Sequence, residues 1–301
     1  MSLLQQLLQT HKQLLLDGGM GTMLMAAGLT NGAAPEEWNV SHPEQVRAIH
    51  QGYIRAGARV ILTNSFGGNR PRLQMHDLGE RAAELNRAAA VNARAATDGA
   101  PHPVVVAGSM GPTGALLEPL GPMTFEEAKA AFAEQAAALS EGGVDLLWIE
   151  TMSDLNEVRA AVEGARAVTS LPVAATMTFD VRGHTMMGVS PTQALQTMSQ
   201  WDLIALGANC GNGPGEIETV IEAMHAANPQ MVLIAKSNAG MPRWDGDEMV
   251  YDGTPEVMAA HAQRVGTLGA RLIGACCGSA PQHIEAMAGA LEQPAPSKTS
   301  M

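Results

Sequence analysis

The chain of 301 residues contains three cysteines, and their placement is its feature best able to do chemistry. Cys210 ends the run Leu-Ile-Ala-Leu-Gly-Ala-Asn-Cys-Gly, and Cys276 and Cys277 end Arg-Leu-Ile-Gly-Ala-Cys-Cys-Gly. Both runs read as apolar strands closed by glycine, so all three thiols fall at strand C-terminal ends. An isolated cysteine most often serves as a small core hydrophobe. Regular strand geometry sends neighbouring side chains to opposite faces. Cys276 and Cys277 can therefore meet at one point only where the strand ends and the backbone turns, which Gly278 permits. If the two strands end on one face, three thiolates converge. That donor set suits zinc with an open fourth position, an arrangement of catalytic rather than structural sites. No C-x-x-C signature accompanies them, so on the residues alone the core and the zinc readings both stand.

What must position these thiols is a repeating strand-then-helix pattern. Strands are predicted at Leu14–Asp17, Val60–Asn64, Val104–Ser109, Leu146–Glu150, Val173–Phe179, Leu203–Cys210, Val232–Ser237 and Leu272–Cys276. Helix starts follow them with recognisable caps: Thr124 and Glu127 have capping-box spacing, and Ser190-Pro191, Thr254-Pro255 and Ala280-Pro281 place proline at the first helical position. The strands are continuous apolar runs, as expected when both faces are buried. Eight β-then-α units predict an α/β fold of the (β/α)8 TIM-barrel type, with a doubly wound sheet as the competing architecture. Gly18-Gly19-Met20-Gly21 lacks the G-x-G-x-x-G spacing of a dinucleotide-binding sheet. In a barrel, catalytic residues sit at the C-terminal strand ends. Those ends read Asp17-Gly18-Gly19, Asn64-Ser65-Phe66, Glu150-Thr151, Asn209-Cys210, Ser237-Asn238 and Cys276-Cys277. The acids Asp17 and Glu150 either cap the following helix or take part in chemistry.

Composition sets the outer bounds. A hydrophobic fraction of 46% supplies a large core, so one domain is predicted over residues 1–292, with a disordered tail over 293–301. The net charge of −12 argues against nucleic acid and anionic membrane as partners. No apolar stretch reaches the roughly 18 residues of a membrane span, and no charged segment leads into an apolar one at the start. A cytoplasmic protein with reduced thiols is the resulting expectation.

At this point the motifs themselves resemble a known family. Asp17-Gly18-Gly19-Met20-Gly21-Thr22, Leu62-Thr63-Asn64-Ser65-Phe66, Ile149-Glu150-Thr151-Met152, Gly207-Ala208-Asn209-Cys210-Gly211 and Gly274-Ala275-Cys276-Cys277-Gly278 are similar, in order and spacing, to the homocysteine S-methyltransferases. The likeness runs from residue 17 to about 290. One departure is Ala275, where the family's usual motif has a second glycine. The resemblance implies a zinc ion held by Cys210, Cys276 and Cys277, with the sulfur of homocysteine as the incoming ligand. Asp17, Gly18 and Gly19 would line the amino-acid pocket, Glu150 would hold the homocysteine ammonium, and Asn64, Trp38 and Phe66 complete the expected substrate-binding set. The chemistry is coherent: a free thiol, with a pKa of about 8.5, is a poor nucleophile at neutral pH, and zinc coordination deprotonates it.

The methyl donor is a separate question. A small onium donor such as betaine wants aromatic faces around its positive charge, and Trp38, Phe66, Trp244 and Tyr251 fall in loops on the predicted catalytic side. Arg70, Arg72 and Arg243 are the candidates for its carboxylate. The loop Phe66-Gly67-Gly68-Asn69-Arg70 departs from animal betaine enzymes and is closer to the homocysteine module of cobalamin-dependent methionine synthase, yet the chain has no D-x-H-x-x-G cobalamin motif. Betaine is therefore the expected donor. S-methylmethionine is one alternative, and a divided methionine synthase, with methyl brought by a separate corrinoid protein, is another. A zinc-binding subunit without catalysis is the reading from a different class. An oligomer is compatible with the sequence.

Overall fold

Strand-forming runs of the chain are short and alternate between two destinations. In the computed structural model, which describes residues 1–246 and 248–292, Leu14, Leu16, Val60, Leu62, Val105, Ala107, Leu146, Trp148, Ala174, Ala205, Ile234 and Leu272 share one buried cluster. The residues between them, including Leu15, Ile61, Val106, Leu147, Ala175, Leu206, Leu233 and Ile273, join a second cluster with the helices. Period-two alternation thus sends one set inward and the other against a helical coat.

The strands are β1 (Leu14–Leu15), β2 (Val60–Leu62), β3 (Val105–Met110), β4 (Leu146–Met152), β5 (Val173–Met177), β6 (Ala205–Cys210), β7 (Leu233–Ser237), then a hairpin of β8 (Pro242–Asp245) and β9 (Glu248–Tyr251), and finally β10 (Ala270–Ala275). Eight of them pair in parallel in the order β1-β10-β7-β6-β5-β4-β3-β2. A parallel bridge between Leu16 and Val60 closes the ring. This is the expected (β/α)8 barrel. The helices also start where their caps place them: Thr124 and Glu127 form a full capping box before Phe125–Glu141, and Ser190 and Thr254 cap Pro191–Met198 and Pro255–Thr267.

Several elements go beyond the predicted units, among them short helices at Trp38–Ser41 and Arg70–Gln74. Helix Leu3–Thr10 lays Leu4 and Leu7 into the barrel interior cluster, and the recurrence of leucines along one helical face is its signal. Helix Met20–Ala26 occupies what reads as a glycine-rich loop, and the β8–β9 hairpin follows β7. The tail expected over 293–301 and the side chain of Trp244 lie outside the described residues. Among the described residues, no helix is long and apolar enough to cross a membrane.

Close strand contact depends on glycine at one interior position. A Cβ at Gly207 of β6 would overlap the backbone oxygen and nitrogen of Ile234 on β7. Gly207→Ala is expected to cost about 3 kcal/mol, the upper range for forcing atoms into a filled core. Urea unfolding measures it, and an unchanged midpoint would refute the contact.

Candidate metal and substrate site

The interior positions change character at the top of the barrel. Two residues beyond the apolar inward set come Asn64 after Leu62, Ser109 after Ala107, Glu150 after Trp148, Thr176 after Ala174 and Lys236 after Ile234. The same alternation that fills the core with leucine and valine therefore delivers a polar layer to the C-terminal mouth.

All three thiols come together there. The sulfurs of Cys210, Cys276 and Cys277 lie within 4.8 Å of one another. A tetrahedral ion with about 2.3 Å metal–sulfur bonds needs its sulfurs roughly 3.8 Å apart, so the group fits a metal with little adjustment. Its local backbone is unusual in the way this convergence requires. Cys210 has φ of 65° and Gly211 73°, a left-handed turn that a non-glycine residue adopts at some cost. β10 ends at Ala275, and Cys276 and Cys277 lie in the turn completed by Gly278 at φ 78°. Ala275 itself is paired with Ser237 in regular strand, so its methyl group is accommodated.

Asparagines latch the two cysteine loops. Asn238 Nδ2 donates to the Gly211 carbonyl at 2.7 Å, and its Oδ1 accepts from the Cys277 N–H at 3.1 Å. Asn209 Oδ1 accepts from the Thr151 N–H at 2.8 Å and Thr176 Oγ1 at 2.6 Å. The thiols share charge unequally. Hydrogen bonds, first from Cys276 and then from Cys277, push the Cys210 thiol well down. Cys277 is pushed well up by its contacts with Cys210 and then Cys276. A cation among the three sulfurs would favour the deprotonated form of all of them.

The expected amino-acid residues line the same cavity of about 560 Å³: Asp17, Gly18, Gly19, Asn64, Phe66 and Glu150 stand around it with the three cysteines. Asp17 Oδ2 accepts from the Leu62 N–H at 2.7 Å. Gly18 and Gly19 are glycines because of the loop above them. A Cβ on Gly18 would lie 2.6 Å from Ser279 Oγ, and one on Gly19 2.7 Å from the Cys276 carbonyl. Asn64 serves the wall, donating to the Pro35 carbonyl at 2.7 Å. Glu150 Oε1 accepts from Ser109 Oγ at 2.5 Å, and burial pushes its carboxyl up to about 7 against the pull of Lys236.

Trp38 is not brought in: it is half-buried and stacks on His42, ring centroids 4.4 Å apart. Tyr251 reaches the thiols from the β9 hairpin, its ring against Gly278. Burial, then the charges of Cys277 and Cys210, raise its hydroxyl pKa. Arg70 is committed to Glu80 and Glu134, each at 2.6 Å, and Arg243 is exposed on β8. Arg72 alone of the three arginines lines the cavity.

Sequence reasoning missed four residues of this site. Lys236 is 4% exposed, with Nζ 3.3 Å from Asp17 Oδ1. Burial alone would discharge it, but Asp17, Cys276 and Glu150 together hold its ammonium above the usual range. Glu36 is buried, takes the Gly67 N–H at 2.7 Å and also lines the cavity. Tyr53 Oη donates to the Gly19 and Ser279 carbonyls at 3.1 and 3.2 Å, and Ser279 Oγ accepts from the Gly19 N–H at 2.9 Å. A lysine inside the apolar run Val-Leu-Ile-Ala-Lys-Ser was the available signal for the first. The other three lie in loops or on helices and carried none.

Comparison with known proteins agrees with this geometry. A family model described as homocysteine S-methyltransferase matches residues 14–291. The methionine synthases of Mycobacterium tuberculosis and Mycobacterium leprae are each 33% identical over 292 residues, covering 91% of this chain. The chain spans only 24% of the length of those two relatives. The metallated form of the homocysteine methyltransferase MmuM from Escherichia coli has a TM-score of 0.81 and 25% identity, over 95% of this chain and 99% of that one. A methyltransferase from Methanosarcina mazei shares the fold alone, with a TM-score of 0.56 and 12% identity over 91% and 90% of the two chains. The model match over nearly the whole chain and the three convergent thiols lead to one assignment: the chain belongs to the homocysteine S-methyltransferase family.

Proposed function

We propose that this protein transfers a methyl group to the sulfur of homocysteine, forming methionine, at a zinc ion held by Cys210, Cys276 and Cys277. The observation that carries this is the convergence of three sulfurs on the wall of a cavity that also holds the buried acids Asp17 and Glu150. Zinc bound by three thiolates supplies a fourth position where a substrate thiol loses its proton and stays nucleophilic. The protein's own residues do the rest. Glu150 offers a buried carboxylate to the substrate ammonium, held in place by Ser109. Gly18 and Gly19 keep the β1 loop close enough to the Cys276 turn for the amino acid to lie between them. The cavity volume leaves room for a small donor beside the substrate.

For that donor we favour betaine. Phe66 is 39% exposed and lines the cavity, and an aromatic ring there suits a positive charge. Glu36 places a carboxylate nearby, and Arg72 is a guanidinium without a carboxylate partner among the described residues. An onium group and a carboxylate on one small molecule match that pair of charges. A second reading is favoured by the likeness to methionine synthases and by Leu116, Leu120, Met186 and Met241, 46%, 64%, 63% and 55% exposed on loops after β3, β5 and β7. Exposed apolar side chains on loops at that end of the barrel are compatible with a macromolecular donor such as a corrinoid protein. Free thiols of this kind belong in a reducing compartment, so the cytoplasm is the proposed location.

Methionine formation by zinc-loaded protein with homocysteine and, separately, betaine, S-methylmethionine and methylcobalamin tests these readings. Turnover with betaine is expected, and Arg72→Ala should raise the betaine KM about 10-fold, the loss of one exposed charge-assisted bond, with the homocysteine KM unchanged. Activity only after a corrinoid protein is added would transfer the assignment to a divided methionine synthase. Zinc binding with no methionine from any donor would make the chain a non-catalytic zinc subunit.

A further inference from the structure

Lys236 is the one lysine or arginine that is buried among the described residues. It stands in β7 opposite Asn209 of β6 and Gly274 of β10. Gly274 has no side chain, and a Cβ there would lie 2.5 Å from Leu16 Cβ. The ammonium can therefore pass over β10 and reach Asp17 beyond it. That contact is a charge pairing at 3.3 Å rather than an aligned hydrogen bond, because Asp17 Oδ1 lacks a hydrogen-bond donor. An ammonium carries three donors, and Asp17 is its only ion-pair partner among the described residues. Lys236 lines the cavity with the buried carboxylates Asp17, Glu36 and Glu150 and the three half-buried thiols, whereas Arg72 and His76 of the same lining are exposed.

An α-amino acid entering such a cavity brings an ammonium and a carboxylate on one carbon. The ammonium finds Glu150 and Asp17. The carboxylate meets repulsion from the buried acids of the cavity, and Lys236 is the one buried cation in its lining, Arg72 being exposed. We propose that Lys236 binds the carboxylate of the amino-acid substrate and so makes the pocket specific for an α-amino-acid thiol over a simple aminothiol. This rests on the homocysteine reading above and extends it. Asp17 then acts in two ways, keeping the lysine charged and holding it short of full satisfaction until the substrate arrives. A purely structural lysine would instead be the counter-ion of Asp17 and indifferent to the substrate's carboxylate.

Calorimetric binding to zinc-loaded protein separates these roles, with homocysteine and its decarboxylated analogue 3-aminopropane-1-thiol as the two probes. The wild type is expected to prefer homocysteine about 100-fold, as for a buried charge pair. Lys236→Met should lower homocysteine affinity by about the same factor while the analogue changes less than about 3-fold, and Lys236→Arg should recover most of the preference. Equal weakening of both thiols in Lys236→Met would overturn the assignment and leave the lysine a partner of Asp17. Equal binding of the two thiols by the wild type would overturn it without any variant, even if the variants failed to fold. Wild-type protein that binds neither thiol overturns the homocysteine reading as well, so the two failures are distinct.

Discussion

Cys210→Ser should purify with about a tenth of the wild-type zinc and lose methionine formation by at least about 1,000-fold. The expectation comes from what serine cannot do. Its hydroxyl is a harder donor and is not deprotonated near neutral pH, so two thiolates would be left to hold the metal. Cys210 is also the one sulfur that β6 contributes, the other two coming from the turn after β10. Removing it takes away the donor that closes the group from that side. The fold should survive, because the left-handed turn at Cys210 and Gly211 is held by Asn238 rather than by the sulfur. Metal content by elemental analysis, alongside the melting temperature of metal-free protein, separates site loss from misfolding. Wild-type turnover in rigorously metal-free protein would end the zinc mechanism altogether.

Much of this site is legible in the sequence, and the reason is the barrel itself. Each strand is a continuous apolar run, so the point where it stops being apolar marks the mouth. Asp17, Asn64, Glu150, Cys210 and Cys276 were all found that way, and all line one cavity. Lys236 escaped because it is polar inside a run whose end was placed at Ser237, although alternation from Ile234 sends it inward. Glu36 and Arg72 line the cavity for a different reason. Their positions depend on how the Pro35–Glu37 turn and the Arg70–Gln74 helix fold back over β2, through contacts such as Asn64 to Pro35 and Glu36 to Gly67. No local pattern encodes those long-range contacts, so Glu36 was missed and Arg72 could not be ranked above Arg70 and Arg243. Trp38 shows the converse: the expected loop is the short helix Trp38–Ser41, in which the indole stacks on His42 and is not among the residues lining the cavity.

Glu150→Gln should separate binding from stability with opposite signs. In homocysteine binding it should cost about 100-fold, the loss of a buried carboxylate facing an ammonium, while zinc content stays at the wild-type level. Gln keeps an acceptor for Ser109 Oγ, so the pocket wall is preserved. The pH dependence follows from the carboxyl's position near 7, where burial has raised it from 4.5. In metal-free, substrate-free protein the folded state keeps this proton above pH 4.5, whereas the unfolded chain releases it. Stability therefore falls as pH rises from about 4.5 to about 7, and the full penalty, on the order of 3 kcal/mol, is present above that range. Glutamine carries no such penalty. The variant should consequently match the wild type at pH 4 and be the more stable protein at pH 8, as judged by denaturant unfolding. Homocysteine affinity should run the other way: wild-type binding strengthens more steeply than the variant's as pH rises through about 7, because the variant keeps only the rise that comes from loss of the substrate thiol's proton. A carboxylate kept only for structure would produce the reverse pattern, with the glutamine protein less stable at pH 8 and equally able to bind. A strong destabilisation there, with homocysteine binding intact, would remove Glu150 from the substrate site and leave it as part of the barrel's polar core.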